Sequence, residues 1–266
     1  MKLGLFGNPV SHSKSPAIFS SLCAELGRKI SYEAVLVNDF SGAVAKARAA
    51  GWRGASVTIP FKLDAAKAAK RLTHDAKAIG AVNALKFGKT IIGHNTDAAG
   101  LMDAFKFADV VMSGVRVLVF GAGGAARAAG YAAAKSGAQS VHFTNRTFST
   151  ATKCARDLAA YFPRTRFSAG AARNADVWIN ALPLGLKGCP DKSPAPKALR
   201  PPKAAVDLVY GRRTAFQRQT TRTGARTIDG TAMLVFQALR AYEFWDRPLG
   251  PARRALLAGR IIKELS

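Results

Sequence analysis

The chain is poor in acidic residues and in cysteine, and it has no long apolar run. Asp and Glu number 16 against 40 Lys and Arg, a formal net charge of +24 at pH 7. That imbalance excludes an acidic, solvating protein. It raises nucleic acid, an anionic surface or an anionic ligand as partners. The three cysteines, Cys23, Cys154 and Cys189, lie far apart, without CxxC or Cys/His spacing. They indicate neither a disulfide framework nor a zinc site, and they fit a reducing compartment. His12, His74, His94 and His142 lack metal-ligand spacing and read as structural or peripheral, so no metal is expected. No stretch of about 18 apolar residues occurs, which argues against a membrane span. The opening MKLGLFGNPVSHSKSP has only a four-residue apolar stretch before Gly7. That is too short for a signal peptide, and the expected location is the cytoplasm.

What is present is a core. Hydrophobic residues make up 48% of 266. That length suits one large domain or two modest ones, at about 100–200 residues each. The charge does not gather in one block. Residues 1–97 carry 14 basic and 6 acidic residues (+8), 98–229 carry 20 and 7 (+13), and 230–266 carry 6 and 3 (+3). The densest stretch, Arg212 to Arg226, holds a single aromatic residue, Phe216. Nucleic-acid binders concentrate charge on one face and add stacking groups, so nucleic acid is not the expected partner.

Strand and helix patterns alternate along the chain. Residues 2–7, 31–37 and 54–60 read as strands, and 15–27, 41–50 and 63–72 as helices. VNALKF and TIIGHN form two strands about Gly88-Lys89. A second alternation follows, with strands at 115–120, 140–145, 177–181 and 204–210 and helices at 101–108 and 148–162. Residues 230–245 and 251–265 read as closing helices, and Leu186 to Pro202 as an exposed loop. The fold class is α/β with mainly parallel sheets.

Phe120-Gly121-Ala122-Gly123-Gly124-Ala125-Ala126-Arg127 follows a clean strand and opens an Ala-rich helix. That is the context of a dinucleotide fingerprint. Gly121 allows the tight turn, Gly123 lets the backbone approach a pyrophosphate, and Ala126 takes the third small position. The plain alternative is a βα turn without ligand. The next strand ends in Asn145-Arg146-Thr147, with no carboxylate for ribose hydroxyls. Arginine there accepts a 2′-phosphate, which favours NADP over NAD.

Three polar groups close strands in the first half, where α/β sheets bind ligands. Ser13 and Ser15 lie in Ser11-His12-Ser13-Lys14-Ser15-Pro16 and suit a carboxylate, or else a helix N-cap. Thr58 and Lys62 close another strand, and Asp97 ends Gly93-His94-Asn95-Thr96-Asp97. Lys62 and Asp97 would make an acid/base pair if they meet. Their plain alternatives are a surface lysine and a helix N-cap.

GNPVSHSKSP, SVTIPFK, IGAVNAL, GHNTDAAG, FGAGGAAR, NRT, VDLVY and DGTAMLVFQA run in order across nearly the whole chain. Together they resemble the shikimate dehydrogenase family, NADP-dependent enzymes that interconvert 3-dehydroshikimate and shikimate. The resemblance implies a substrate-binding domain at 1–97, a Rossmann-like NADP-binding domain at 98–229, and C-terminal helices at 230–266 returning to the first domain. It implies that Ser13 and Ser15 bind the substrate carboxylate, and Thr58, Asn83 and Gln237 its hydroxyls. Lys62 and Asp97 would be the catalytic pair, with Tyr210 and Gly230 near substrate and nicotinamide. Gly121, Gly123, Gly124 and Ala125 would hold the pyrophosphate, and Asn145, Arg146 and Thr147 the adenosine phosphate. A monomer or homodimer is expected.

The chain departs from the family pattern in places. Ser56 stands where Asn is common, and His94 where Asp or another polar residue is common. Ala181-Leu182-Pro183-Leu184 replaces a stretch with Thr and Ser. Thr150 stands where a second basic residue is common, leaving Lys153 as a substitute. Two rival readings remain: a quinate-type paralogue, and a cofactor-binding regulator without catalysis. Ser15 favours shikimate over quinate, and retention of Lys62 and Asp97 favours an enzyme.

Overall fold

The structure, a computed structural model, describes residues 1–11 and 13–265, leaving out His12 and Ser266. The chain divides into two compact units, Met1–Gly100 with Val235–Ser266, and Leu101–Leu234.

The first stretch runs β1 (Lys2–Gly7), α1 (Ser15–Leu26), β2 (Ser31–Leu36), α2 (Phe40–Ala49), β3 (Gly54–Val57), α3 (Lys62–Ala68), β4 (Arg71–Leu72), α4 (His74–Ile79), β5 (Ala84–Lys86), β6 (Ile92–His94) and α5 (Thr96–Phe107). Its sheet has the order β2-β1-β3-β5-β6-β4. All pairings are parallel except those of β5, which runs against both neighbours. Phe6, Val57, Leu85 and Phe87 pack with Val44 of α2 in one buried cluster.

Two local readings change. The helix expected over 63–72 stops at Ala68, and Arg71–Leu72 pairs with β6 instead. Ala- and Lys-rich sequence favours helix throughout this stretch. A fresh start at Thr73, whose hydroxyl accepts from Ala76 N, breaks it into α3 and the unanticipated α4. The strand expected over 54–60 ends at Val57, because Pro60 has no N–H for a ladder.

The second unit runs β7 (Arg116–Phe120), α6 (Gly124–Lys135), β8 (Ser140–Thr144), α7 (Phe148–Ala159), β9 (Arg166–Ala169), β10 (Val177–Asn180), β11 (Ala204–Asp207), α8 (Ala215–Arg222) and β12 (Arg226–Ile228). Its sheet is parallel throughout, in the order β12-β11-β10-β7-β8-β9. That is the Rossmann order, reversing between β7 and β10, so the glycine turn after β7 lies at the switch point. α9 (Thr231–Trp245) and α10 (Pro251–Leu265) complete the chain. β9, α8 and β12 had no sequence signal. The two strands are short, half-buried sheet edges without apolar runs. Within the basic stretch, Ala215–Arg222 folds as α8, started by a Thr214/Gln217 capping box, with Phe216 and Thr220 buried.

Asp176 ties β7 to the start of β10. Its carboxylate takes Arg116 Nε at 3.0 Å, Arg116 Nη2 at 3.1 Å and Arg116 backbone N at 3.0 Å. These bonds hold the Asp176 pKa down at about 2. A carboxyl depressed in the folded state stabilises above its unfolded value, and that contribution fades as pH falls through the folded value. Asp176→Asn should therefore melt at a lower temperature than the parent at pH 7. The gap should narrow between about pH 4 and pH 2. Thermal melts across that range check it.

Candidate active site

The centre of the first unit is a carboxylate taken out of water. Asp97 has 7% of its side chain exposed, and its Oδ2 accepts from Lys62 Nζ at 2.6 Å. Its Oδ1 accepts from Asn83 Nδ2 at 2.9 Å. Lys62 is itself only 17% exposed, so the surface-lysine reading does not hold. A buried ion pair is tolerated when hydrogen bonds satisfy the remaining lone pairs, which Asn83 does here.

Local structure explains the convergence. α3 begins at Lys62, and Lys62 O accepts from Val82 N at 2.9 Å. The antiparallel pairing of β5 and β6 sets Ala84 against His94, which brings Asn83 beside the start of α5. There Asn95, not Asp97, caps the helix, with Oδ1 accepting from Ala98 N at 3.2 Å. Asp97 lies within the first turn and is left to face Lys62.

Asn83 is pinned on its other side. Its Oδ1 accepts from Thr96 N at 2.7 Å, and its Nδ2 donates to Thr96 Oγ1 at 2.9 Å and Gln237 Oε1 at 3.3 Å. Gln237 arrives on α9, which crosses α5 closely: a Cβ on Gly100 would strike the Gln237 backbone. Thr96 was not among the expected site residues, although it sits beside Asp97. A wholly buried threonine at a helix start gives no sequence sign of orienting an asparagine.

The serine pair forms a second group. Ser13 Oγ donates to Ser15 Oγ at 3.2 Å and accepts from Ser15 N at 3.2 Å. The N-cap position of α1 is Lys14, without a side-chain cap, so neither serine is an ordinary N-cap. Thr58 follows β3, its methyl against the space a Cβ on Gly7 would need.

In the second unit the glycine turn takes the expected form. Gly121 has φ of 112°, a conformation that favours glycine. Gly123 precedes α6 in extended conformation, with no side-chain cap and no acidic residue in the first turn. A Cβ there would meet nothing, so the approach to Gly124 and Ala125 is open. Leu182 packs beside Gly121, which gives this part of the turn an apolar wall.

At the end of β8, Asn145 Nδ2 donates to Thr147 O at 3.1 Å, and Thr147 begins α7 without a side-chain cap. Arg146 is exposed and has no ion pair among the described residues. Lys153 is committed elsewhere, donating to Asp157 at 2.8 Å beside Arg127 at 3.0 Å. Burial raises the Asp157 pKa, but hydrogen bonds from Lys153 and Arg127 outweigh it and leave the carboxyl below its usual range. Lys153 is thus a poor substitute for the residue missing at Thr150. Tyr210 follows β11, and Gly230 N donates to Val209 O at 3.0 Å, drawing the two loops together.

Residues 5–85 match the family model for the shikimate dehydrogenase substrate binding domain. A shikimate dehydrogenase (NADP(+)) of Natronomonas pharaonis is 40% identical over 262 residues, spanning 95% of this chain and 97% of that relative. This chain belongs to the shikimate dehydrogenase family. The shikimate 5-dehydrogenase of Thermus thermophilus, crystallised with NADP(H) and shikimate, aligns with TM-score 0.86 at 32% identity, covering 98% of this chain and 99% of that one. A ligand-free 5-ketofructose reductase of a Gluconobacter strain aligns with TM-score 0.81 at 27% identity, each chain covered to 98%. The architecture thus carries more than one substrate, and the choice rests with the site residues.

Ala is a better helix former than Gly by about 1 kcal/mol, so an open Gly100 would gain from substitution. Here the added methyl meets backbone that cannot yield. Gly100→Ala should instead lose about 1–3 kcal/mol in denaturant unfolding, the cost of overpacking.

Proposed function

We propose that this chain catalyses the reversible NADPH-dependent reduction of 3-dehydroshikimate to shikimate, a step toward chorismate and the aromatic amino acids. The observation that carries this reading is the buried Lys62–Asp97 pair at 2.6 Å, with Asn83 and Gln237 fixed beside it. A ketone reduced to an alcohol needs a proton at the forming alkoxide, and a held lysine ammonium supplies one.

Each unit has its own part. Met1–Gly100 with Val235–Ser266 takes the substrate, consistent with the substrate-domain match at residues 5–85. Ser13 and Ser15 hold the carboxylate, and Thr58, Asn83 and Gln237 hold ring oxygens. Lys62 gives its proton to the carbonyl oxygen, and Asp97 holds Lys62 and that oxygen in register. Leu101–Leu234 takes the cofactor. The open turn at Gly121, Gly123, Gly124 and Ala125 fits a pyrophosphate, and the free Arg146 between Asn145 and Thr147 fits a 2′-phosphate. When bound, NADPH supplies the hydride. Tyr210 and Gly230 flank the nicotinamide side. The three free thiols fit a cytoplasmic enzyme.

The test is a spectrophotometric assay with shikimate or quinate and each nicotinamide cofactor. The proposal expects NADP-linked oxidation of shikimate with kcat/KM well above that for quinate; preferred quinate oxidation assigns the paralogue function instead. Lys62→Ala should lower kcat by about 100-fold or more with little change in KM, as for a group acting in the transition state. Arg146→Gln should raise KM for NADP about tenfold or more and leave KM for NAD nearly unchanged, because only NADP carries the phosphate it meets.

A further inference from the structure

The dinucleotide crevice of the second unit has a wall opposite the glycine turn. The sheet order sets β7 and β8 on one side of the switch point and β10 and β11 on the other. The pyrophosphate falls to the turn after β7 and the adenosine phosphate to Arg146 after β8. The nicotinamide end then falls to the loops after β10 and β11. The first of these loops has little of its own to grip with. Ala181, Leu182, Pro183 and Leu184 carry no polar side chain. Ala181 N is spent on Phe120 O at 3.0 Å, and Leu182 N on Asn180 Oδ1 at 3.1 Å. What places this wall is therefore whatever fixes its backbone.

Asn180 does this at the end of β10. It is wholly buried and stands in register with Asp207 at the end of β11. The two residues make the same turn side by side. Asn180 Oδ1 accepts from Leu182 N, two residues on, and Asp207 Oδ1 accepts from Val209 N at 3.1 Å. One bond joins the turns, Asn180 Nδ2 donating to Asp207 Oδ1 at 2.9 Å. The main chain repeats the link, with Leu208 N donating to Asn180 O at 2.9 Å. An amide is needed at 180, because a carboxylate there could accept from Leu182 but not donate to Asp207. The pair is anchored from behind through Asp207 Oδ2, which takes Thr214 Oγ1 at 2.5 Å and Gln217 Nε2 at 3.2 Å. In front, Leu182 Cδ2 stands 3.2 Å from where a Cβ on Gly121 would lie. Val209 is held at its carbonyl too, which accepts from Gly230 N at 3.0 Å.

We infer that Asn180 is a positioning residue for hydride transfer: joined to Asp207, it locks the loops after β10 and β11 into the wall that holds the nicotinamide end of the cofactor. It acts through the backbone of Leu182 and, by way of Asp207, of Val209. Without its side chain, Leu182 N loses its partner and Asp207 loses one donor. The glycine turn and the Asn145-Arg146-Thr147 corner take no bond from this side chain. The loss therefore falls on the nicotinamide half of the cofactor and spares the adenosine half. The inference rests on the NADP-dependent reading.

The experiment compares the parent with Asn180→Ala, Asn180→Ser and Thr214→Val. NADPH binding is read by its fluorescence. Calorimetry reads the binding of adenosine 2′,5′-bisphosphate, which lacks the nicotinamide, and shikimate oxidation gives kcat. Asn180→Ala should raise Kd for NADPH about threefold to tenfold, the worth of one hydrogen bond. Kd for the bisphosphate should change less than about twofold. kcat should fall about tenfold or more, because hydride transfer is sensitive to misplacement, with KM for shikimate near the parent's. Asn180→Ser offers a hydroxyl that re-forms the turn to Leu182 N more weakly, and should recover part of both losses. It carries the same comparison should Asn180→Ala not fold. Thr214→Val is the control for stability. It removes a donor from Asp207 Oδ2 and the cap of α8, and leaves the bonds of both turns in place. It should lower the melting temperature and keep Kd for NADPH near the parent's. Unchanged NADPH binding and kcat in the folded Asn180 variants overturn the inference. So does an equal weakening of the bisphosphate, or a Thr214→Val effect on NADPH as large as that of Asn180→Ala, since a merely structural asparagine would give both. If the parent itself binds no NADPH, it is the cofactor reading that fails.

Discussion

A carboxylate removed from water has to be satisfied on both oxygens; Asp97 takes Lys62 and Asn83, and Thr96 and Gln237 in turn hold Asn83. Lys62 comes from the first turn of α3, Asn83 from the residue before β5, Thr96 from the start of α5, and Gln237 from α9. Removing Lys62 or Asn83 leaves an oxygen of the buried Asp97 carboxylate short of a partner, at a cost of about 1–3 kcal/mol. The same bonds that stabilise the unit therefore fix the geometry a ketone reductase needs. The β5–β6 hairpin and the close crossing of α5 and α9 at Gly100 exist, in this sense, around one ion pair.

The second unit meets a similar demand in its own sheet. Asp207 ends β11 fully buried, and its carboxylate accepts from Asn180 Nδ2, Thr214 Oγ1, Gln217 Nε2 and Val209 N. Burial raises its pKa, and the four donors pull it down only in part. Asn180 also holds Leu182 N at 3.1 Å, so one carboxylate fixes the loops after β10 and β11, including the path to Tyr210. Gly123 in the turn after β7 and Arg146 after β8 stay exposed. Much of the surrounding charge is engaged within the unit, with Arg212 and Arg218 sharing Asp191 and Arg226 paired to Asp109. Of the arginines at 212–226, only Arg218 and Arg222 lie on α8, while Arg212 and Arg213 precede it and Arg226 begins β12.

Long-period features were legible in the sequence and local competition was not. The apolar strand before Gly121, the Ala-rich α6 and the closing helices carry their own periodicity, and all appear within a residue or two of expectation. Edge strands β9 and β12 carry none, because they are only four and three residues long, none of those residues is fully buried, and their order comes from neighbours. The division of 63–79 into α3, β4 and α4 depends on Thr73 acting as a cap, against uniform helix propensity. At the site, residue types and spacing flagged Lys62 and Asp97. Only the fold shows that Asn95 takes the capping role and that Thr96 orients Asn83. Those roles depend on neighbours across strands and helices, which no linear spacing encodes.

The most direct measurement of the central claim is a double-mutant cycle on kcat for shikimate oxidation, using Lys62→Ala, Asp97→Ala and the double variant. If the two residues act as one unit, the double variant should lose about as much as Lys62→Ala alone. Losses that multiply, as for two independent groups, would contradict it.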